Sequence, residues 1–537
     1  MKRIILSLSV IGCLTVAAQE TYQNAALVSE DLNGTARYVG MGGAMEALGA
    51  DISTIGTNPA GIGLFRSSSV STSFGFVSQT DTKSFDRGDR TNISFDQVGF
   101  VYSMRSGRKS FLNLAFNYHK SRNFNQILSA AGTLGNGSQN ILSYARGIAT
   151  GRLGASSYTN SSGVTVYEPT FSGSYPSYYT QLDELYNQGV NFDYTDGNYY
   201  SYAASDYLFN RSTSGYIGEY DFNISGNIND RVYLGLTVGI HDVHYKAYTE
   251  YTEGLVNASG TALGDVTVTD ERRITGTGVD IKGGIIVRPI ENSPFRVGLY
   301  VSSPVFYDLT TENRTRLDND SEAGSYDYLS ISNAYDFEMW TPWKFGLSVG
   351  HTINNNIALG ATYEYSDYGS IDTRIKDGGY YYYDYYYDDS HSDHEMNDHT
   401  ERNLKAVSTL KLGAEYKPIP ELALRIGYNY VSPIYKSSAM KGYESELLES
   451  YGTAYESTTD YTNWKSTNRL TLGAGYTYRK FTVDVAYQYT VTNGDFYPFQ
   501  ESFKLYDDSG LIEESYCDAT DVSYKRHQLL VTLGYKF

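Results

Sequence analysis

The sequence predicts an all-β fold: a 14-stranded antiparallel transmembrane β-barrel with a small N-terminal plug (hatch) inside the lumen. Three observations carry that expectation. First, segments alternate with the period of a strand. Leu470, Leu472, Ala474, Tyr476 and Tyr478 stand against Thr471, Gly473, Gly475 and Thr477, and Leu529, Val531, Leu533, Tyr535 and Phe537 stand against Leu530, Thr532, Gly534 and Lys536. One face is apolar and ends in aromatics and the other is small or polar, as in a strand with lipid outside and a filled or wet lumen inside. Second, the connections alternate between short and long. Third, beyond the N-terminus no stretch approaches the ~18 apolar residues of a membrane helix, so a membrane-spanning chain of this sequence must close its strands on themselves.

The elements follow in order. Lys2-Arg3, an apolar run from Ile4 to Val16 and Ala17-Ala18 read as a secretory signal peptide over 1–18, with Gln19 as the new N-terminus. Val10-Ile11-Gly12-Cys13 also fits a lipoprotein processing box, which would leave a lipidated Cys13. With Cys13 removed only Cys517 remains, and no intrachain disulfide is possible. Residues 19–67 are rich in Gly and Ala, carry Met41, Met45 and Leu48 at helical spacing, and are expected to fold as the plug. The barrel is expected over 68–537. Its strands fall at about 68–78, 93–104, 110–120, 215–226, 231–246, 270–289, 295–308, 336–353, 356–371, 402–417, 421–435, 464–479, 480–493 and 524–537.

Short turns at 105–109, 227–230, 290–294, 354–355, 418–420 and 479–480 contain the residues that tight turns favour. Long loops take every other connection, the longest at 121–214 and a Tyr/Asp/His-rich one at 372–401. Periplasmic turns and long outer loops sort in this way, and an even strand count puts both barrel ends on the periplasmic side. The reading places the chain in a bacterial outer membrane, in contact with lipid, as a monomer.

Composition narrows the function classes. The formal charge is −19, and loss of Lys2 and Arg3 makes it more negative still. That argues against a nucleic-acid partner. The chain has 54 Tyr, 52 Gly, 3 Trp and 11 Pro, which suits aromatic girdles and crowded small-residue patches. The mean hydropathy of −0.40 decides nothing, because only alternate residues of a barrel face lipid.

The stretch Ala36-Arg-Tyr-Val-Gly-Met-Gly-Gly-Ala-Met45, then Ala50-Asp51 and Asn58-Pro59-Ala60-Gly-Ile62, resembles the N-terminal hatch of the FadL/TodX-type outer-membrane transporters. Residues 283–289, 295–304, 340–347 and 412–418 are similar to strand segments of that family, in the same order. The resemblance covers the hatch and most strands, and omits the long loops. It implies a 14-stranded barrel with a plug that carries hydrophobic small molecules inward, long-chain fatty acids being the default cargo. Capture near the outer loops, a hatch shift and passage through a lateral gap in the wall are implied with it. Asn58, Pro59 and Ala60 are the residues carried over, as hatch and gating residues. No cofactor is implied. Related barrels include hemin receptors and secretion-system scaffolds, so a binding or scaffold barrel is the alternative.

Other motifs fit less well. Gly346-Leu-Ser-Val-Gly350 matches the nucleophile pattern G-x-S-x-G, whose chemistry needs the serine on a strained strand-to-helix turn; Ser348 is expected in mid-strand, so no catalytic residue is assigned. His391, His394 and His399 lie close together among carboxylates and offer an alternative metal or haem site. A solvated acidic outer loop whose Tyr residues cover the rim is the favoured reading, and no metal ligand is assigned. Arg87-Gly-Asp89 in the first outer loop is short enough to recur by chance.

Overall fold

A computed structural model describes residues 20–171, 180–193, 198–324, 327–354, 356–376, 380–382, 385–387, 389–448, 450, 455–507 and 509–537. The expected signal peptide, with Cys13 and Gln19, lies outside the described residues, as do Tyr383, Asp384 and Asp388 of the Tyr/Asp/His-rich loop.

The chain forms a closed barrel of fourteen antiparallel strands. They are β1 (Ser69–Thr80), β2 (Thr91–Arg105), β3 (Phe111–Asn123), β4 (Ala203–Ile228), β5 (Val232–Val256), β6 (Ala262–Val287), β7 (Arg296–Ser302 with Phe306–Ser321), β8 (Tyr328–Trp340 with Lys344–Ile353), β9 (Ile357–Asp367), β10 (Ala406–Ile419), β11 (Leu422–Val431), β12 (Tyr461–Tyr478), β13 (Phe481–Tyr497) and β14 (Thr520–Lys536). Each pairs with its chain neighbour, and β1 pairs with β14 from Ser69↔Lys536 to Thr80↔Lys525, so no edge is left at the seam of the cylinder. The short turns lie at one end. Asn229 and Asp230 both take positive φ (53° and 55°) in the tight turn between the paired residues Ile228 and Val232. The turn placed at 418–420 falls later, because β10 runs through Pro418 to Ile419.

The outward faces are those the alternation predicts. Leu234, Leu236, Val238 and Ile240 of β5, Leu470, Leu472, Tyr476 and Tyr478 of β12, and Phe481, Val483, Val485 and Tyr487 of β13 are all exposed. Their partners on the inner face are buried: Thr237, Thr471, Asp484 and Gln488. A belt of exposed Leu, Val, Phe and Tyr around a closed cylinder with a polar interior is the solvation pattern of a lipid-embedded barrel.

Strands β4, β5 and β6 are much longer than expected: β4 begins at Ala203 rather than near 215, β5 ends at Val256 rather than near 246, and β6 begins at Ala262 rather than near 270. In these upper parts the inner face turns apolar (Tyr251, Leu255, Val266 and Val268 are buried) while the outer face turns to Thr and Glu. The upper lumen is filled from the loops. The connection read as a single loop over 121–214 carries Gln126–Thr133, which extends β3, helix α3 (Gln139–Ala149), a hairpin over 153–171 and helix α4 (Gln181–Gly189). Leu182, Leu185 and Tyr186 of α4 pack against Leu255, Val266, Val268, Leu317 and Leu329 of the wall. Thr180 and Asp183 form a capping box that starts α4. A third loop helix, α5 (His394–Asn403), starts at Asp393, whose side chain accepts from Met396 N.

Residues 20–67 lie inside the cylinder. Helix α1 (Thr21–Val28) sits high, under the loop helices, and α2 (Ala36–Gly40) with two 3-10 turns (Ile52–Gly56 and Pro59–Leu64) sits low. Each low element has its own cap: the side chains of Thr35, Asp51 and Asn58 accept from Tyr38, Ser53 and Ala60 N–H, and Pro59 takes the first helical position, where no N–H is needed. The hatch backbone lies on small wall residues. Gly413 and Gly427 are cross-strand partners on β10 and β11, and Met41 and Gly42 rest on them. Gly42 itself takes φ +63°, an easy conformation for glycine alone, to turn the chain at the end of α2.

Candidate functional site

A cavity of about 320 Å³ lies in the mid-lumen between hatch and loop helices, and its size is that of a small-molecule pocket. Its lining includes the carboxylates Glu20, Asp270, Glu364 and Asp460 and two further patches. One is aromatic and apolar: Tyr22 and Leu27 of α1, Phe124, Tyr245, Tyr435 and Tyr461. The Tyr22 ring stacks on Tyr435 at 5.0 Å and leans on Tyr461 at the same centroid distance. The other is cationic. Arg122, Arg469 and Arg526 converge around the single carboxylate of Asp31, to which Arg526 donates at 3.0 Å and Arg122 at 3.4 Å.

The cavity floor meets a discontinuity in the wall. β2 pairs with β3 only from Gln97↔His119 to Arg105↔Phe111; from Thr91 to Asp96, β2 pairs with β1 alone among the described residues. β3 bends away at Phe124-Asn125, and its continuation Gln126–Thr133 follows β4 inward, where Ile127 N donates to the inward-facing Gln79 amide oxygen at 2.8 Å. A seam is therefore left between upper β2 and upper β3. The leader fills it from inside. Asp31 N donates to Ser121 O at 2.8 Å, the Asp31 carboxylate accepts from Asn123 N at 2.9 Å, and the Asn33 amide donates to Asp96 Oδ1 at 3.0 Å and to Lys120 O at 3.1 Å. Two leader residues thus supply the hydrogen bonds that a neighbouring strand would.

The lower hatch is held by buried ion pairs. Glu46 accepts from Lys411 at 3.0 Å, from Thr362 at 2.7 Å and from Tyr38 at 3.1 Å, and Lys411 lies 3.5 Å from Glu364. Arg37 reaches Glu415 at 3.2 Å, which also takes Arg425 at 2.7 Å. The carried-over residues are also at this level. Asn58 and Pro59 lie on Gly235, Gly284 and Gly298 of β5, β6 and β7, and Ala60 is fully buried. Among the described residues the buried Asn58 Nδ2 group has no hydrogen-bond partner, which makes this contact less stable than its packing suggests.

The structure sets the three histidines of the alternative metal site in different surroundings. His391 and His394 are exposed, and His399 is buried. His399 is a latch between α5 and the leader. Its Nδ1 is 2.8 Å from Thr21 Oγ1, and its Nε2 accepts from Gly442 N at 3.2 Å and faces the Asn403 amide at 3.0 Å. Ser348 lies mid-strand on the inner face, donating to Gly298 O at 3.3 Å. Arg87 of the first outer loop lies over the Tyr248 ring at 4.7 Å.

Burial lowers the His399 pKa to about 4 from its ordinary 6.5. The folded arrangement therefore prefers neutral His399. Its contribution is complete above pH ~6.5 and is lost as pH falls through about 4, because the unfolded or undocked state binds the proton more readily in that window. The protection factors of the amides in residues 21–28, corrected for the pH dependence of intrinsic exchange, are expected to fall between pH 6.5 and 4, and a His399→Gln variant is expected to flatten that dependence.

No family model and no curated protein matches the sequence. Among solved structures the chain is similar to a Pseudomonas aeruginosa FadL homologue, at 11% identity over 95% of this chain and 99% of that one, with a TM-score of 0.48. It is likewise similar to the Ralstonia pickettii toluene transporter TbuX (13%, 94% and 99%, 0.47) and the Pseudomonas putida toluene transporter TodX (11%, 95% and 100%, 0.45). The fold is the closed 14-stranded barrel that the sequence predicts.

Proposed function

We propose that this barrel is a passive outer-membrane channel for hydrophobic small molecules, with long-chain fatty acids as the default cargo. Cargo is captured below the loop helices, the leader shifts, and cargo leaves sideways through the β2–β3 seam into the bilayer. The observation that carries this reading is the seam itself, an interruption of wall pairing sealed by Asp31 and Asn33 of a leader that also lines the cavity. A lateral exit spares an apolar molecule a crossing of the aqueous lumen. The cavity chemistry suits an anionic amphiphile: its chain would lie among Tyr22, Tyr435, Tyr461 and Leu27, and its carboxylate would join Asp31 at the three arginines.

The test is a covalent lock on the seam. An Asp31→Cys/Ser121→Cys pair joins residues already hydrogen-bonded through their backbones. In cells lacking another fatty-acid uptake route, oxidation is expected to reduce oleate uptake to background, and reductant is expected to restore it to the level of the Asp31→Cys single variant, while Ser121→Cys alone transports as the parent does. Undiminished uptake through a fully cross-linked barrel would reject the lateral route. Mass spectrometry of the detergent-extracted protein separates the classes: fatty acyl chains support the channel, and stoichiometric haem or a protein partner without lipid supports a binding or scaffold barrel.

A further inference from the structure

The inner faces of β3, β4, β5 and β6 bring together a second polar cluster that the channel reading does not use. His119, Glu219 and His241 are direct cross-strand neighbours on three consecutive strands. Asp221 lies two residues along β4, and Asp280 and Lys282 face it from β6. The cluster stands between the main cavity, which His119 and Glu219 line, and a small side cavity of about 40 Å³ lined by His241, Asp280 and Lys282.

Two features of the cluster are unusual. The first is charge. Three buried carboxylates face one buried ammonium, Lys282, which contacts Glu219 and lies 3.1 Å from Asp221 and 3.1 Å from Asp280. Two negative charges remain without a fixed cation, a costly state for groups at most 3% exposed. The second is spacing. His119 Nε2 is 3.6 Å from Glu219 Oε2, His241 Nδ1 is 3.9 Å from the same oxygen, His119 Nδ1 is 3.6 Å from Asp221 Oδ2, and His241 Nε2 is 3.5 Å from Asp280 Oδ1. His241 is 4% exposed, yet neither of its ring nitrogens has a hydrogen-bond partner among the described residues, and Asp221 Oδ2 has none either. These separations are too long for hydrogen bonds. Each ring offers one nitrogen to one ion, so a single ion would use the His119 nitrogen facing Glu219 or the one facing Asp221; either 3.6 Å separation is close to the ~3.3–3.6 Å edge of a tetrahedron of N and O donors around an ion with bonds of about 2.0–2.2 Å.

We propose that His119, Glu219 and Asp221 form a site for one divalent transition-metal ion of the zinc class, with His241 as a further donor beyond the Glu219 carboxylate. One donor atom from each of the first three lies within 4.8 Å of the other two. Imidazole with carboxylate is a donor set for Zn²⁺, Co²⁺ or Ni²⁺ rather than for Ca²⁺ or Mg²⁺. A divalent ion also balances the charge, since three carboxylates, one ammonium and one such ion sum to zero. Asp280 lies 3.5 Å from Nε2 of His241, on the side of that ring away from Glu219. The ion would tie β3, at the foot of the bend that opens the seam, to β4 and β5.

The test uses untagged, full-length protein in detergent, freed of metal and titrated with Co²⁺ alone. One Co²⁺ per barrel is expected, with visible d–d absorption, and Zn²⁺ is expected to displace it. His119→Ala and Asp221→Asn are each expected to weaken binding at least about tenfold. A His391→Ala/His394→Ala variant, which removes the exposed loop histidines, is expected to bind as the parent does. Heat-modifiable gel migration identifies the folded barrels, and the loop variant with parent stoichiometry decides the matter even if the lumen variants fail to fold. Absence of stoichiometric Co²⁺ in the parent, loss of binding in the loop variant, or equal affinity in parent and folded His119→Ala would overturn the proposal.

Discussion

Replacing Gly413 and Gly427 together by valine is expected to expel the hatch from a barrel that still closes. The two glycines are opposite each other on β10 and β11. A Cβ on Gly413 would fall on the Met41 carbonyl, and one on Gly427 on the Gly42 amide nitrogen. Both obstacles are backbone, so neither can rotate away as a side-chain tip would. Overpacking of this kind costs about 1–3 kcal/mol per site. The wall has no reason to give way, because valine suits a strand better than glycine and the lipid-facing Leu410, Leu412, Ile426 and Tyr428 are untouched. The leader is the part that moves. Trypsin should then cleave at Arg37, which in the parent is held against Glu415, while the barrel still migrates as a folded species. Conductance through reconstituted barrels should rise with it. Continued protection of Arg37 in a folded double variant would mean that the hatch does not rest on these glycines.

The glycines also mark how far the sequence can be read. In the lower half of the barrel the two faces of each strand differ sharply, lipid-facing Leu and Val against Gly, Thr and charge, and there the alternation located every strand. Above the lipid belt the pattern inverts. Val266 and Val268 of β6 point inward against α4, and Thr267 and Thr269 point out. A reading that seeks an apolar outer face stops where that face becomes polar, which is why β4, β5 and β6 were taken too short. The hatch motif was legible because glycine and Asn-Pro-Ala carry local backbone demands. Asp31 and Asn33 were not: they follow α1 in no recognisable motif, and their role exists only because β3 bends at Phe124, about ninety residues later. The histidines show a similar limit. Nearness in sequence grouped His391, His394 and His399, whereas His119 and His241 meet across β4 through strand register, which sequence spacing does not reveal.

A Lys411→Met substitution is expected to release the same leader by a different force. Lys411 lies between Glu46 of the hatch and Glu364 of the wall, and Glu46 is fully buried. Methionine keeps the length of the side chain and removes the charge, leaving two carboxylates facing each other without a cation. Breaking a buried pair from one side costs about 3–5 kcal/mol, because the surviving charge keeps its desolvation penalty. Tyr300 continues to donate to Glu364 at 2.7 Å, so the wall carboxylate retains a partner. Glu46 keeps Thr362 and Tyr38, two neutral donors that do not replace an ammonium. Hydration of Glu46 relieves that state, and withdrawal of the hatch admits water to it. Protease sensitivity at Arg37 should therefore appear in Lys411→Met and diminish when Glu46→Gln is added, since a neutral amide can stay buried against the same two hydroxyls. The glycine variants, whose defect is steric, should gain nothing from Glu46→Gln. If Glu46→Gln fails to restore protection in Lys411→Met, the lost stability resides in the wall around Glu364 and not in the seating of the leader.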